Sequence, residues 1–180
     1  MDHEITVPSQ DESRRDFLLH ATAATGALGA AVSMWPLINS MNPAADTLAL
    51  SSIEVNLAGL EEGQAITVSW RGKPVFIRHR TPQEIESARN EAWQELPDPQ
   101  ADEERVQNEK YLIVVGVCTH LGCIPLGQKL TETRGEFNGY FCPCHGSHYD
   151  LSARIRKGPA PTNLEVPEYT FLSETNVKIG

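Results

Sequence analysis

The sequence has no extended basic stretch; its densest basic run is Arg154-Ile155-Arg156-Lys157. Its 180 residues carry 24 Asp and Glu against 15 Lys and Arg, a formal net charge of −9. Without a stripe of Lys and Arg nothing neutralises a row of phosphates, which excludes nucleic acid as a partner. Excess acid keeps a chain soluble and by itself says little more. Cysteine is scarce: there are four, and none stands before position 118 or after position 144. Charge is missing altogether from Phe17 to Ala45, where no Asp, Glu, Lys or Arg occurs. No internal repeat is visible. At 40% hydrophobic and 22% charged, the chain otherwise has the composition of one folded domain with an appendage.

The uncharged run is the appendage. Phe17 to Ile38 forms a helix long enough, at about 1.5 Å per residue, to cross a hydrocarbon core of roughly 30 Å. It is rich in Ala, Gly and Thr, which suits close packing against other helices in lipid, and Trp35 suits the interface. Just before it, Ser13-Arg14-Arg15-Asp16-Phe17-Leu18 resembles a twin-arginine export signal. Pro43-Ala44-Ala45-Asp46 offers a place where a signal could be cut, but the apolar run exceeds the ~7–15 residues of a cleaved signal. A retained anchor is therefore expected. Arg14 and Arg15 precede the span and the next basic residue is Arg71, so the positive-inside rule puts the N-terminus in the cytoplasm and the bulk outside. The expected organisation is a cytoplasmic tail (1–13), a signal and transmembrane anchor (14–38), a linker (39–50) and a head (51–180).

From Ser51 the pattern is mainly β. Ile53 to Leu57 and Ala65 to Trp70 alternate apolar and polar residues, and Arg71-Gly72-Lys73 reads as a tight turn into Pro74 to Arg78. Residues 81–110 interrupt this with nine acidic residues against three basic ones, Arg89, Arg105 and Lys110. Pro82-Gln83-Glu84 opens a helix, and a second short helix is expected from Asp102 to Asn108; the whole insertion reads as a solvated surface element. Tyr111 to Val117 is an apolar buried-strand run, and two further strands are expected at Glu168 to Leu172 and Thr175 to Ile179.

The chemistry is concentrated between Val117 and Asp150. This stretch reads V-C-T-H-L-G-C at one end and Y-F-C-P-C-H-G-S-H-Y-D at the other, and holds Cys118, Cys123, Cys142 and Cys144 with His120 and His145. Thiolates with imidazoles are a donor set for zinc or for an iron–sulfur centre. On residue types alone two readings stand: one zinc site with two spare thiols, or a cluster held by two Cys and two His with the other Cys pair bonded as a disulfide. A disulfide would place the head in an oxidising compartment. His3, His20, His79 and His148 lack such partners and are read as structural or solvated.

C-x-H-x-x-C followed by C-x-C-H-G-S resembles the Rieske [2Fe–2S] motif. Together with the signal, anchor and linker it resembles the iron–sulfur subunits of bacterial cytochrome bc1 complexes, the ubiquinol–cytochrome c reductases. That resemblance implies an antiparallel β-sandwich head with a cluster-binding subdomain. Cys118 and Cys142 would bind one iron, His120 and His145 the other, and Cys123 and Cys144 would be a disulfide joining the loops. Ser147 and Tyr149 stand where the family's hydroxyls donate to a bridging sulfide and to the Cys118 sulfur. Backbone amides at Gly122 and Gly146 would add donors, and Leu121 would form an apolar lip. Gly158-Pro159-Ala160-Pro161 resembles the proline loop that shields the cluster.

The implied activity is to take an electron and a proton from ubiquinol at the cytochrome b site, with His145 accepting the quinol hydrogen bond, and to pass the electron to cytochrome c1. It further implies a dimeric complex in the bacterial inner membrane, a periplasmic head and a hinge at 39–50. Two departures are visible: Ala153 stands where relatives carry Gly, and Tyr140 where Trp is expected. The alternatives are the Rieske subunit of another exported oxidoreductase, such as arsenite oxidase, and an anchored structural zinc module.

Overall fold

The computed structural model describes residues 10–43 and 51–180. Most of the expected tail and most of the expected linker therefore lie outside the described residues, and the last of the tail, from Gln10, is helical. The chain divides into two compact units, one helical and one β.

The first unit is a helix, α1 (Gln10–Asn39). Its stretch Ser13–Asn39 is long and apolar enough to cross a membrane, and none of its described side chains is buried against protein. Three of its polar side chains turn back on their own backbone. Thr25 donates to the Ala21 carbonyl and Ser33 to the Gly29 carbonyl, each at 2.8 Å, while His20 Nδ1 pairs with the Asp16 carbonyl at 2.6 Å. Such pairing is what hydrocarbon demands of polar atoms, since no water is there to satisfy them.

Among its described residues the second unit holds nine strands in three antiparallel three-stranded sheets. The first comprises β1 (Ile53–Asn56), β9 (Asn176–Ile179) and β8 (Tyr169–Ser173), in that order. The second comprises β2 (Ala65–Trp70), β3 (Lys73–His79) and β4 (Tyr111–Val115). These two sheets enclose one core of Val55, Leu57, Trp70, Val75, Ile77, Ile113, Val177 and Ile179, with Tyr111 and Tyr169. The third sheet, β5 (Tyr140–Cys142), β6 (Ser147–Tyr149) and β7 (Ile155–Lys157), carries the second cysteine loop.

Strand β4 explains how the third sheet is mounted. Successive residues of a strand point to opposite faces, and all five of β4 are buried. Tyr111 and Ile113 enter the sandwich core, whereas Leu112 and Val114 enter a second core with Tyr140, Cys142, Tyr149, Ile155 and Leu164. β3 does the same with Val75 and Ile77 on one side and Phe76 on the other. An uninterrupted apolar run is what burial on both faces requires.

The β2–β3 hairpin follows the sequence expectation, with Arg71 (φ 50°) and Gly72 (φ 74°) as a two-residue left-handed turn that matches strand twist. The helix at Pro82 also forms, as α2 (Pro82–Arg89). Thr81 caps it, accepting from the Glu84 amide while Glu84 accepts from the Thr81 amide, which satisfies two donors of the first turn. The second expected helix shrinks to a single 3-10 turn, Asp102–Glu104.

Tertiary bonds, stronger than local propensity, draw that segment inward, and they correct the view of 81–110 as a solvated element. Asp102 and Arg105 are fully buried. Asp102 accepts from Arg80 at 2.7 Å and from the Ser152 hydroxyl. Arg105 donates to the Ser152 and Leu164 carbonyls, both at 2.6 Å. Burial pulls the Arg105 guanidinium down to about 10, with Asp150 opposing, and it stays charged at neutral pH. The acidic groups that do meet solvent include Glu86, Glu95 and Glu103. The insertion is thus pinned on its inner side to the segments that flank the cysteine loops.

Ala153 is fully buried with φ 59°. The left-handed backbone there costs an alanine on the order of 1 kcal/mol, which its buried methyl, worth about 0.8 kcal/mol, largely offsets.

Candidate metal centre

Two loops build the site, and they are closed in the same way. In the first, which leaves β4, the amide of Gly122 donates to the carbonyl of Cys118 at 2.9 Å. In the second, which joins β5 to β6, the amide of Gly146 donates to the carbonyl of Cys142 at 3.0 Å. Each is a five-residue turn that opens on a cysteine and ends on a glycine in the left-handed region, at φ 81° and 74°. A side chain at either glycine would be strained, so glycine is required by the turn. In sequence the two loops share a C-x-x-x-G spacing, Cys118 to Gly122 and Cys142 to Gly146.

Cys118 and Cys142 are free thiols, each 2% exposed. Cys123 and Cys144 are joined as a disulfide, which ties one loop to the other. His120 and His145 meet edge to face, with ring centroids 4.7 Å apart. His120 is half-buried and His145 exposed, so the imidazoles form the outer side of the site and the thiols the inner side. Among the described residues, one group of three metal-type donors lies within 4.8 Å of one another: Cys123, Cys142 and Cys144. Two of these are bonded to each other, so no four-donor cage for a single zinc ion is assembled here. A thiol pair on one side and an imidazole pair on the other suit a two-iron group.

The atoms around the thiols point the same way. The Tyr149 phenol lies 3.2 Å from the Cys118 sulfur, and burial followed by that contact raises its pKa. Burial also pushes the Cys142 thiol up, opposed by the Cys144 amide; the Cys118 sulfur adds to the rise, and the His145 amide opposes it. These N–H groups have no counterpart in the sequence reading, which looked to the glycine amides for donors. Gly122 and Gly146 instead spend their amides on the turns.

Ser147 is 1% exposed, and its oxygen accepts from the Ala160 amide at 3.2 Å. Among the described residues its own proton has no protein acceptor, a buried donor left over for an anionic sulfur. The residues present therefore fit a [2Fe–2S] group.

The rim is apolar and uncharged. Leu121 is 71% exposed and Ile124, which the sequence reading passed over, 58%. No Asp, Glu, Lys or Arg occurs at 111–128, 137–149 or 158–164. The loop Gly158 to Pro161 lies against Ser147 through Ala160, and Thr119 donates to the Thr162 carbonyl at 2.7 Å, joining it to the first cysteine loop.

Residues 57–170 match the Rieske [2Fe-2S] domain family, and residues 6–44 match the ubiquitinol-cytochrome C reductase Fe-S subunit TAT signal. The ubiquinol-cytochrome c reductase iron-sulfur subunit of Rhodospirillum rubrum is 60% identical over 99% of this chain and 98% of its own. That of Rickettsia conorii is 51% identical over 96% of both. A chain of a hyperthermophilic respiratory Complex III superposes with a TM-score of 0.51 at 23% identity, covering 87% of this chain and 96% of that one, and this supports the fold. With a match along nearly its whole length, an apolar N-terminal segment fit to anchor it in a membrane, and a Rieske [2Fe–2S] domain around the two loops, the chain belongs to the family of ubiquinol–cytochrome c reductase iron–sulfur subunits.

Proposed function

We propose that the chain carries single electrons from ubiquinol, bound at a cytochrome b subunit, to cytochrome c1, with the quinol proton released on the side of the head. The observation that carries this reading is the donor arrangement: two buried free thiols behind two outward imidazoles, with a phenol and a serine hydroxyl beside them.

Cys118 and Cys142 would hold one iron of the [2Fe–2S] group and His120 and His145 the other, and the group supplies a one-electron acceptor at a potential raised by its neutral imidazoles. His145, exposed at the rim, accepts a hydrogen bond from the quinol hydroxyl and holds its proton at the outer ring nitrogen. His120 stands beside it with less access. Leu121 and Ile124 exclude water where the quinol and its protein site meet the rim. The Tyr149 and Ser147 hydroxyls hydrogen-bond sulfur and favour the more negative state. The Cys123–Cys144 bridge keeps the two loops in register.

The head is periplasmic and the N-terminus cytoplasmic, because Arg14 and Arg15 precede a span followed by no basic residue until Arg71. The anchor at 14–38 lies in the inner membrane, residues 39–50 serve as hinge between anchor and head, and the assembly is dimeric, with the head serving the opposite cytochrome b. Iron and zinc assays with EPR on the dithionite-reduced protein test the centre. Two irons per chain, with a rhombic signal whose average g lies below that of all-cysteine clusters, are expected. An EPR-silent sample holding one zinc overturns the proposal.

A further inference from the structure

We propose that Asp98, in the acidic insertion, is a positioning residue for the electron-transfer centre: by clamping Asn163 it fixes the loop that orients the Ser147 hydroxyl. This rests on the reading of Ser147 as a donor to cluster sulfur.

The clamp is bidentate. Asp98 Oδ2 accepts from the Asn163 amide at 2.8 Å, and the Asp98 carbonyl accepts from Asn163 Nδ2 at 3.0 Å. Pro97 and Pro99 stand on either side and fix φ, so the acceptor pair is presented by stiff backbone. Asn163 is 5% exposed, and its Oδ1 accepts from the Ile155 amide at 2.9 Å. With its nitrogen facing a carbonyl and its oxygen facing an N–H, the amide has one allowed orientation.

Residues 158–162 hang between β7 and this fixed point. They reach the site twice: Ala160 donates to Ser147 Oγ, and the Thr162 carbonyl accepts from Thr119. The Ala160 bond occupies a lone pair of Ser147 and so sets the direction in which the hydroxyl proton can point. Truncate the Asp98 side chain and the buried Asn163 N–H loses its acceptor while the Asp98 carbonyl still holds Nδ2, so the far end of the loop is loosened and the Ser147 rotor is held less firmly. The insertion then has a role in the chemistry although none of its residues is placed at the cluster.

The sign of the effect separates this from simple electrostatics. Deleting a carboxylate near the centre favours the reduced, more negative state and raises the potential; loosening Ser147 lowers it. The test is redox titration of the EPR signal in membranes containing the whole complex, with thermal stability measured alongside. Asp98→Ala is expected to lower the midpoint potential by less than Ser147→Ala does, and to add nothing in the double variant. Asp98→Asn, which keeps an acceptor for the Asn163 amide, is expected to stay close to the wild type.

If Asp98→Ala changes only stability, or its shift adds to that of Ser147→Ala, the proposal is wrong. If Ser147→Ala itself leaves the potential unchanged, it is the reading of Ser147 that fails, and this inference falls with it. Should Asp98→Ala lose the cluster, Asp98→Glu keeps the charge and displaces the acceptor: a lowered potential supports the clamp and an unchanged one overturns it.

Discussion

The phenol oxygen of Tyr149 sits 3.2 Å from the sulfur of Cys118, both groups buried and held by different parts of the fold: Tyr149 by the short third sheet, Cys118 by the end of β4. Against a thiolate the phenol is the donor. What shifts a potential is the gain in strength of such a bond on reduction; a gain of about 1 kcal/mol is, for one electron, on the order of 40 mV. Tyr149→Phe keeps the ring and removes the donor, so the midpoint potential should fall by about that much with the fold intact. An EPR-monitored titration showing no change would remove Tyr149 from the tuning of the centre.

The disulfide closes a stretch with a sequence separation of 21. Loop-closure entropy of that size is worth about 3 kcal/mol. Cys144→Ser should lower the melting temperature and loosen both turns, with loss of cluster. Thiol counting on unreduced, cluster-free protein should find two free cysteines; four would mean there is no bridge.

Glu84 gives the head a pH dependence. Burial opposes its ionisation, but hydrogen bonds and charge from Arg78, then Arg134 and the Thr81 amide, outweigh this and hold its carboxyl below the usual range. A carboxyl depressed on folding contributes stability that is present above its unfolded pKa, roughly 4.3, and lost as pH falls through the folded one. Glu84→Gln should destabilise at neutral pH by on the order of 2 kcal/mol and flatten the stability profile below about pH 5. Denaturant titrations at several pH values check this; parallel profiles for both proteins would contradict it.

Tyr140 shows the opposite economy. Its ring stacks on Phe76 at 5.6 Å, but its hydroxyl is buried with no partner among the described residues, and burial pushes its pKa up to about 12. An unpaired buried hydroxyl costs roughly 1–3 kcal/mol, so Tyr140→Phe should leave stability unchanged or raise it by about 1 kcal/mol. A lower melting temperature would show that the hydroxyl has a partner in solution.

The sequence made some of this legible because local chemistry and tertiary need coincide there. The Arg71–Gly72 hairpin, the Thr81-capped helix and the apolar run of β4 each carry their own signal, and the Cys/His spacing carried the site. Where side chains act at long range the signal was absent. Asp102 and Arg105 look like surface charge in an acidic insertion, yet Arg80, Ser152 and Leu164, distant in sequence, draw them inside. The strands of the third sheet are three residues each, too short for any period to show. The C-x-x-x-G spacing at Gly122 and Gly146 was visible, but the matching hydrogen bonds were not, because they join backbone atoms, which residue identity does not report.

Strand β4 belongs to two cores at once, with alternate residues in each. Neither core can come apart without stripping the other of half of its shared wall. The head is therefore expected to unfold as one unit, with damage to the cysteine loops carried through β4 into the sandwich.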